Sequence, residues 1–171
     1  GKTNMLLPNH YYGMLSPDGK QFVYYDKFYG SIVPCAWLID FGTNETLSLD
    51  CSTGGDSLPA YILGWIPRQP DTLLAILERS GGGMGRASGF LGTISIKTGD
   101  KEILDADHYI QSAQISPNGD MVAYAADEFP LSGWLYSWDS AVTAFNPQDY
   151  GIDYSQIGSP AWSPDGTKIV W

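Results

Sequence analysis

The chain has 171 residues, 43% of them hydrophobic and 13% aromatic, enough apolar material for a packed core and too much for a disordered tail. Nineteen Asp plus Glu against nine Lys plus Arg leave a formal charge of -10, which argues against binding a nucleic-acid backbone or an anionic membrane surface. No run approaches the roughly 18 apolar residues of a membrane-spanning helix, and Met5-Leu6-Leu7 is too short for the apolar core of a signal peptide.

Read from the N-terminus, Lys2-Thr3-Asn4-Met5-Leu6-Leu7 resembles the later segment Gly42-Thr43-Asn44-Glu45-Thr46-Leu47 and reads as an outer strand. Leu15 then precedes Ser16-Pro17-Asp18-Gly19, and Phe22-Val23-Tyr24 follows as a strand. The turn has a mechanism: Pro17 pre-sets φ, Asp18 bonds nearby backbone, and Gly19 takes positive φ to start the returning strand. A second hairpin runs from Trp37 to Phe41, turns at Gly42-Thr43-Asn44 and returns from Glu45 to Asp50. A turn centred on Thr43 sets Trp37 opposite Leu49, Ile39 opposite Leu47 and Cys35 opposite Cys51. The two cysteines therefore meet at the open end of the hairpin, either as a disulfide or as two small buried thiols.

The pattern then repeats. Trp65-Ile66-Pro67-Arg68-Gln69-Pro70-Asp71 is a worn copy of the first turn with two extra residues, followed by the strand Leu74-Ala75-Ile76. Gly92 to Ile96 and Lys101 to Leu104 form its outer hairpin around Lys97-Thr98-Gly99-Asp100. Ile115 leads into Ser116-Pro117-Asn118-Gly119 and Val122-Ala123-Tyr124, with an outer hairpin from Trp134 to Trp138 and from Ala141 to Phe145. Trp162 leads into Ser163-Pro164-Asp165-Gly166 and Ile169-Val170-Trp171. Pro17, Pro67, Pro117 and Pro164 thus recur about every 50 residues, and no window carries a capped 3.6-residue apolar period. The expected fold class is all-β: a partial β-propeller of four-stranded antiparallel blades, about three complete and one partial. The expected units are 10–50, 60–105, 109–146 and an incomplete 157–171, with 2–7 as an outer strand.

The segment Trp162-Ser163-Pro164-Asp165-Gly166-Thr167-Lys168-Ile169-Val170-Trp171, with its copies at 15–24, 65–76 and 115–124, resembles the WD40-like PD40 repeat of the TolB-type periplasmic propellers and of prolyl-oligopeptidase-type propellers. The resemblance covers nearly the whole chain and implies a propeller scaffold that unrelated activities share. Propellers close with about 4 to 8 blades, so the expectation is a piece of a longer propeller, or a short chain that completes its ring by assembling with another copy.

In such a blade the first-to-second and third-to-fourth strand connections share one end, and these are short here. The connections at the other end are long: 26–34, 51–60, 78–89, 105–109, 127–133 and 146–157. Elaborated loops on one face of a rigid scaffold are where function concentrates. The candidate partner-binding residues are Asp26, Phe28, Tyr29, Asp56, Arg86, Asp107, His108, Asp127, Glu128, Phe129, Tyr150, Asp153 and Tyr154. An acidic, aromatic surface suits a cationic peptide or protein partner, and it equally serves solubility. Ser80-Gly81-Gly82-Gly83-Met84-Gly85-Arg86 lacks the Lys-Ser/Thr of a phosphate loop, and Asp105-Ala106-Asp107 lacks the rest of a calcium loop, so neither a cofactor nor a metal is assigned.

His10 and His108 have no partner constellation, and no Gly-x-Ser-x-Gly elbow occurs. The expected function is a non-enzymatic protein-interaction module, without nucleic-acid binding or membrane insertion. Its setting is extracytoplasmic, periplasmic or secreted, as a disulfide would favour. The alternatives are the propeller of a larger peptidase or hydrolase, gating its substrate, and a subunit of an extracellular assembly.

Overall fold

In a computed structural model, which describes residues 13–25, 35–51, 59–81, 87–126, 132–138, 140–145 and 158–171, each Ser-Pro-Asp/Asn-Gly turn is closed by its serine. The hydroxyls of Ser16, Ser116 and Ser163 donate to Oδ1 of Asp18, Asn118 and Asp165 at 2.7, 2.7 and 2.6 Å. The Oγ atoms of the same three serines accept the backbone N–H of Gln21, Met121 and Lys168, each at 2.9 Å. Gly19, Gly119 and Gly166 take φ of 73°, 77° and 69°, and their N–H groups return to the serine carbonyls at 2.8–2.9 Å. The roles read for Asp/Asn and glycine hold, and the serine hydroxyl is the added bond that ties the two arms together.

These turns join β1 (Gly13–Leu15) to β2 (Gln21–Tyr25), β8 (Lys101–Ile115) to β9 (Met121–Ala126), and β12 (Ala161–Trp162) to β13 (Ile169–Val170). The worn copy joins β5 (Tyr61–Ile66) to β6 (Gln69–Gly81). The outer strands are β3 (Cys35–Asp40), β4 (Thr46–Cys51), β7 (Ala87–Ser95), β10 (Ser132–Ser137) and β11 (Ser140–Phe145). All pairing is antiparallel, and no helix occurs among the described residues. The sheets run β1-β2-β3-β4, then β5 through β11 in unbroken sequence order, then β12-β13.

Four expectations are corrected. Cys35 does face Cys51, but a bulge after Ala36 sets Trp37 opposite Ser48, Leu38 opposite Leu47 and Ile39 opposite Thr46. Leu49, 3% exposed, is the residue the bulge accommodates in the core. The worn turn carries one extra residue rather than two: Trp65 pairs with Leu73, whereas Leu15, Ile115 and Trp162 pair with Phe22, Val122 and Ile169. In segment 78–89, the described residues 78–81 and 87–89 belong to β6 and β7. Finally, 105–109 is no open loop. It lies inside β8, where Leu91 pairs with Asp105 and Phe90 with Tyr109, leaving Ala106, Asp107 and His108 as a bulge.

Burial explains why the second unit reads as an unbroken apolar run. Along β6, Leu73, Ala75 and Leu77 pack into one core with Val23, Ala36, Leu38 and Leu49 of the first sheet. Leu74 and Ile76 point the other way, into a second core with Leu91, Ile110, Val122 and Tyr124. A strand sandwiched between two neighbours has no polar face, so the period-2 alternation vanishes. Leu73, Leu74, Ala75 and Ile76 are each 0% exposed.

Candidate functional site

The pairing register gives the assembly two chemically different ends. The first is made of tight turns that touch one another: a Cβ on Gly119 would lie 3.0 Å from Pro67 Cδ, Arg68 pairs with Asp120, and Lys97 reaches Asp71. At the other end the ladders stop at Tyr25/Ala36, Gly81/Ala87, Ala126/Ser132 and Cys35/Cys51, where the two cysteines form a disulfide. The β8 bulge belongs to this second end, because Ile110, just past it, pairs with both Gly89 and Ala126.

That bulge is built around a buried carboxylate. Asp105 is 6% exposed. Its Oδ1 accepts the Asp107 N–H at 2.9 Å, and its Oδ2 takes the Tyr124 hydroxyl and His108 Nδ1, the latter at 2.8 Å. Burial alone would raise the Asp105 carboxyl, but the bonds from Tyr124, His108 and the Asp107 N–H outweigh it and hold the group below the usual carboxylate range. The His108 ring lies on the Trp134 indole with centroids 3.9 Å apart, and the Trp134 Nε1–H donates to Ser132 Oγ at 2.8 Å.

The order of this chain matters chemically. The carboxylate sits between hydroxyl and imidazole, whereas a nucleophile relay needs the imidazole in the middle. The Tyr124 hydroxyl and the His108 ring both bond the Asp105 carboxylate, which ties the bulge to β9 and positions His108.

A second cluster lines the inner side of the same structure. The Tyr25 hydroxyl accepts the Ile62 N–H at 2.5 Å and donates to the Ala60 carbonyl at 3.2 Å, and burial pushes this phenol up to about 12. Arg79 donates to the Pro59 carbonyl at 3.3 Å and stacks over the Tyr61 ring at 5.2 Å. Arg79, Tyr61 and residues of β1, β5, β8 and the approach to β12 line an open cavity of about 690 Å³.

Of the residues singled out in the sequence, Asp107 and His108 lie in the bulge, next to each other and to Asp105. Asp26, Phe28, Tyr29, Asp56, Arg86, Asp127, Glu128, Phe129, Tyr150, Asp153 and Tyr154 lie outside the described residues. Sequence reasoning missed Tyr124, Trp134, Tyr25 and Arg79. Tyr124 had a signal, because it occupies the same repeat position as Tyr24. Arg79 had a fainter one, as the polar break that ends the apolar run of β6.

No protein-family model matches the chain, and no curated protein does. Solved structures match its fold. TolB from Acinetobacter baumannii superposes with a TM-score of 0.56 at 16% identity, over 94% of this chain and 36% of that one. The tricorn protease gives 0.58 at 13% identity, over 94% of this chain and 15% of that one. The β-propeller domain of the Trilobed protease from Pyrococcus furiosus, described as an open velcro topology, gives 0.50 at 11% identity, over 81% and 43%. The chain thus has the fold of a partial, TolB-like β-propeller, and it spans about a third of the TolB chain it resembles.

Proposed function

We propose that this propeller is a non-enzymatic protein-interaction module that works outside the cytoplasm and engages a cationic peptide or protein segment through its long-loop end. The observation that carries the reading is the asymmetry of the two ends. Turn bonds and turn-to-turn contacts close one end, while the other carries the stiffened Asp105–His108 bulge. The acidic and aromatic residues from Asp26 to Tyr154 flank the same strand ends in sequence. Aromatic anchors within an acidic rim suit a Lys/Arg-rich partner. The Cys35–Cys51 disulfide supports an oxidising compartment.

The test uses a Lys- and Tyr-containing probe peptide, titrated at rising ionic strength against the protein and a variant with Asp107, Asp127, Glu128 and Asp153 changed to Asn or Gln. The reading expects affinity to fall with salt and with neutralisation. Binding indifferent to both contradicts it. A second reading, the propeller of a larger hydrolase that gates substrate, is favoured by the likeness to the tricorn and Trilobed protease structures. Peptidase activity of the intact protein, lost when a nucleophile outside residues 1–171 is changed, would select it.

A further inference from the structure

Arg79 stands out in the cavity wall. The chain carries nineteen acidic residues to nine basic ones, yet no ion pair forms at this guanidinium among the described residues, and none of the described lining residues is Asp or Glu. Its Nε is buried without a hydrogen-bond partner. A charge withdrawn from water is costly unless paired, and burial indeed lowers the Arg79 pKa.

The backbone is shaped to hold the side chain there. Glu78, directly before it, has φ of 49° in the left-handed region, at a bulge that interrupts the β6–β7 register between Leu77 and Ser80. Such strain in a non-glycine residue costs on the order of 1–3 kcal/mol and is retained where surrounding structure requires it. Across the ladder, residue 89 is glycine, and a Cβ there would lie 2.2 Å from the Leu77 carbonyl oxygen and 3.1 Å from Arg79 Cγ. The stem of Arg79 uses the space that Gly89 leaves open.

We infer that the 690 Å³ cavity binds the carboxylate of a peptide segment, with Arg79 as its counter-ion. A planar guanidinium matches a carboxylate in bidentate fashion, and the volume falls within the range of ligand pockets. A peptide fits because β5, which carries Tyr61 and Ile62, is the terminal strand of its sheet. The Ala60 carbonyl and the Ile62 N–H of this edge are already bonded to Tyr25, so backbone pairing to an extended segment falls to Leu63 and Gly64, where a Cβ on Gly64 would meet nothing within 4 Å. Ser112 and Ser159 add hydroxyls to the lining, and Tyr61, 44% exposed, adds an aromatic surface. The carboxylate can be a C-terminus or an acidic side chain, and the test separates the two. This site is independent of the acidic loop-end reading.

Three probe peptides labelled at the N-terminus are titrated by fluorescence anisotropy: tetra-alanine as the free acid, the same peptide as its amide, and an amide whose last residue is Glu. The free acid, the Glu amide or both should bind about ten- to a hundredfold tighter than the plain amide. Preference for the free acid assigns a C-terminus, and equal or greater binding of the Glu amide assigns a side chain. Excess acetate should compete, Arg79→Met should erase the preference, Arg79→Lys should keep part of it, and Lys97→Met at the opposite end should change nothing. Equal binding of all three peptides, no binding of either carboxylate, or an Arg79→Met protein that keeps the preference overturns the proposal. Should Arg79→Met fail to fold, the acid-against-amide comparison and the acetate competition on the unaltered protein decide alone.

Discussion

The three serine-closed turns form an internal experiment in burial, because the same bonds occur at different depths. Ser116 is 1% exposed, Ser16 5%, and Ser163 lies partly exposed in the turn between β12 and β13. Replacing Ser116 by Ala deletes the donation to Asn118 Oδ1 and strips the Met121 N–H of its 2.9 Å acceptor. A buried donor left unpaired costs about 1–3 kcal/mol, and Asn118 Oδ1 keeps only the longer bond from Asp120 N, so Ser116→Ala should cost about 2 kcal/mol. At Ser163, whose hydroxyl also reaches the Lys168 carbonyl at 3.2 Å, water replaces the lost partners, and Ser163→Ala should cost about 0.5 kcal/mol. Ser16→Ala should fall near the Ser116 value. Urea unfolding of the three variants with a common m-value measures the series, and Ser116→Ala should lower the melting temperature by about 4–8 °C. Equal losses at positions 116 and 163 would refute the argument that burial of the turn, rather than its local geometry, sets the magnitude.

Three further outcomes follow from other contacts. Gly119→Ala should destabilise by about 2 kcal/mol or more, since it combines a φ of 77° with Pro67 atoms at 3.0–3.2 Å, while Gly19→Ala, which meets only Leu15 at 3.9 Å, should cost less in the same unfolding assay. The Asp105 carboxyl is held below its unfolded value, so its contribution is complete above the ordinary carboxylate pKa of about 3.9 and is lost as pH falls through the depressed native value. Asp105→Asn should therefore cost about 2 kcal/mol at neutral pH and progressively less in acid, measured by chemical unfolding across that window. The Asp165 carboxyl, which accepts bonds from Ser163 and Thr167, should titrate at about 2 when followed by carbon NMR. Asp165→Asn, which copies the Asn118 turn, should fold without that titration.

The sequence carried the architecture because the repeat is written in local chemistry. Ser, Pro, Asp/Asn and Gly each have a turn role that does not depend on the rest of the chain, so three copies sufficed to place the hairpins. Cys35 opposite Cys51 came out right by compensation: the register beside the turn, Leu38 opposite Leu47, would carry Cys35 to Asp50, and the bulge at Leu49 moves it onto Cys51. What was not legible depended on tertiary packing. Leu49 is drawn into the core by a bulge that no turn rule encodes, and this shifted the register from Trp37 onward. Asp105-Ala106-Asp107-His108 has loop composition, yet it lies in a strand because Tyr124 and His108, distant and near in sequence, both bond the same carboxylate. Arg79 looked like an ordinary polar residue after an apolar run. Its significance comes from Gly89 across the ladder and from the positive φ of Glu78.

The most direct test of the proposed role is hydrogen exchange on the protein alone and with the Lys- and Tyr-containing probe peptide. The account predicts that protection on binding concentrates in segments 26–34, 52–58, 105–109, 127–131 and 146–157, which flank the long-loop end in sequence. Protection confined to the turns at Pro17, Pro67, Pro117 and Pro164 would contradict it.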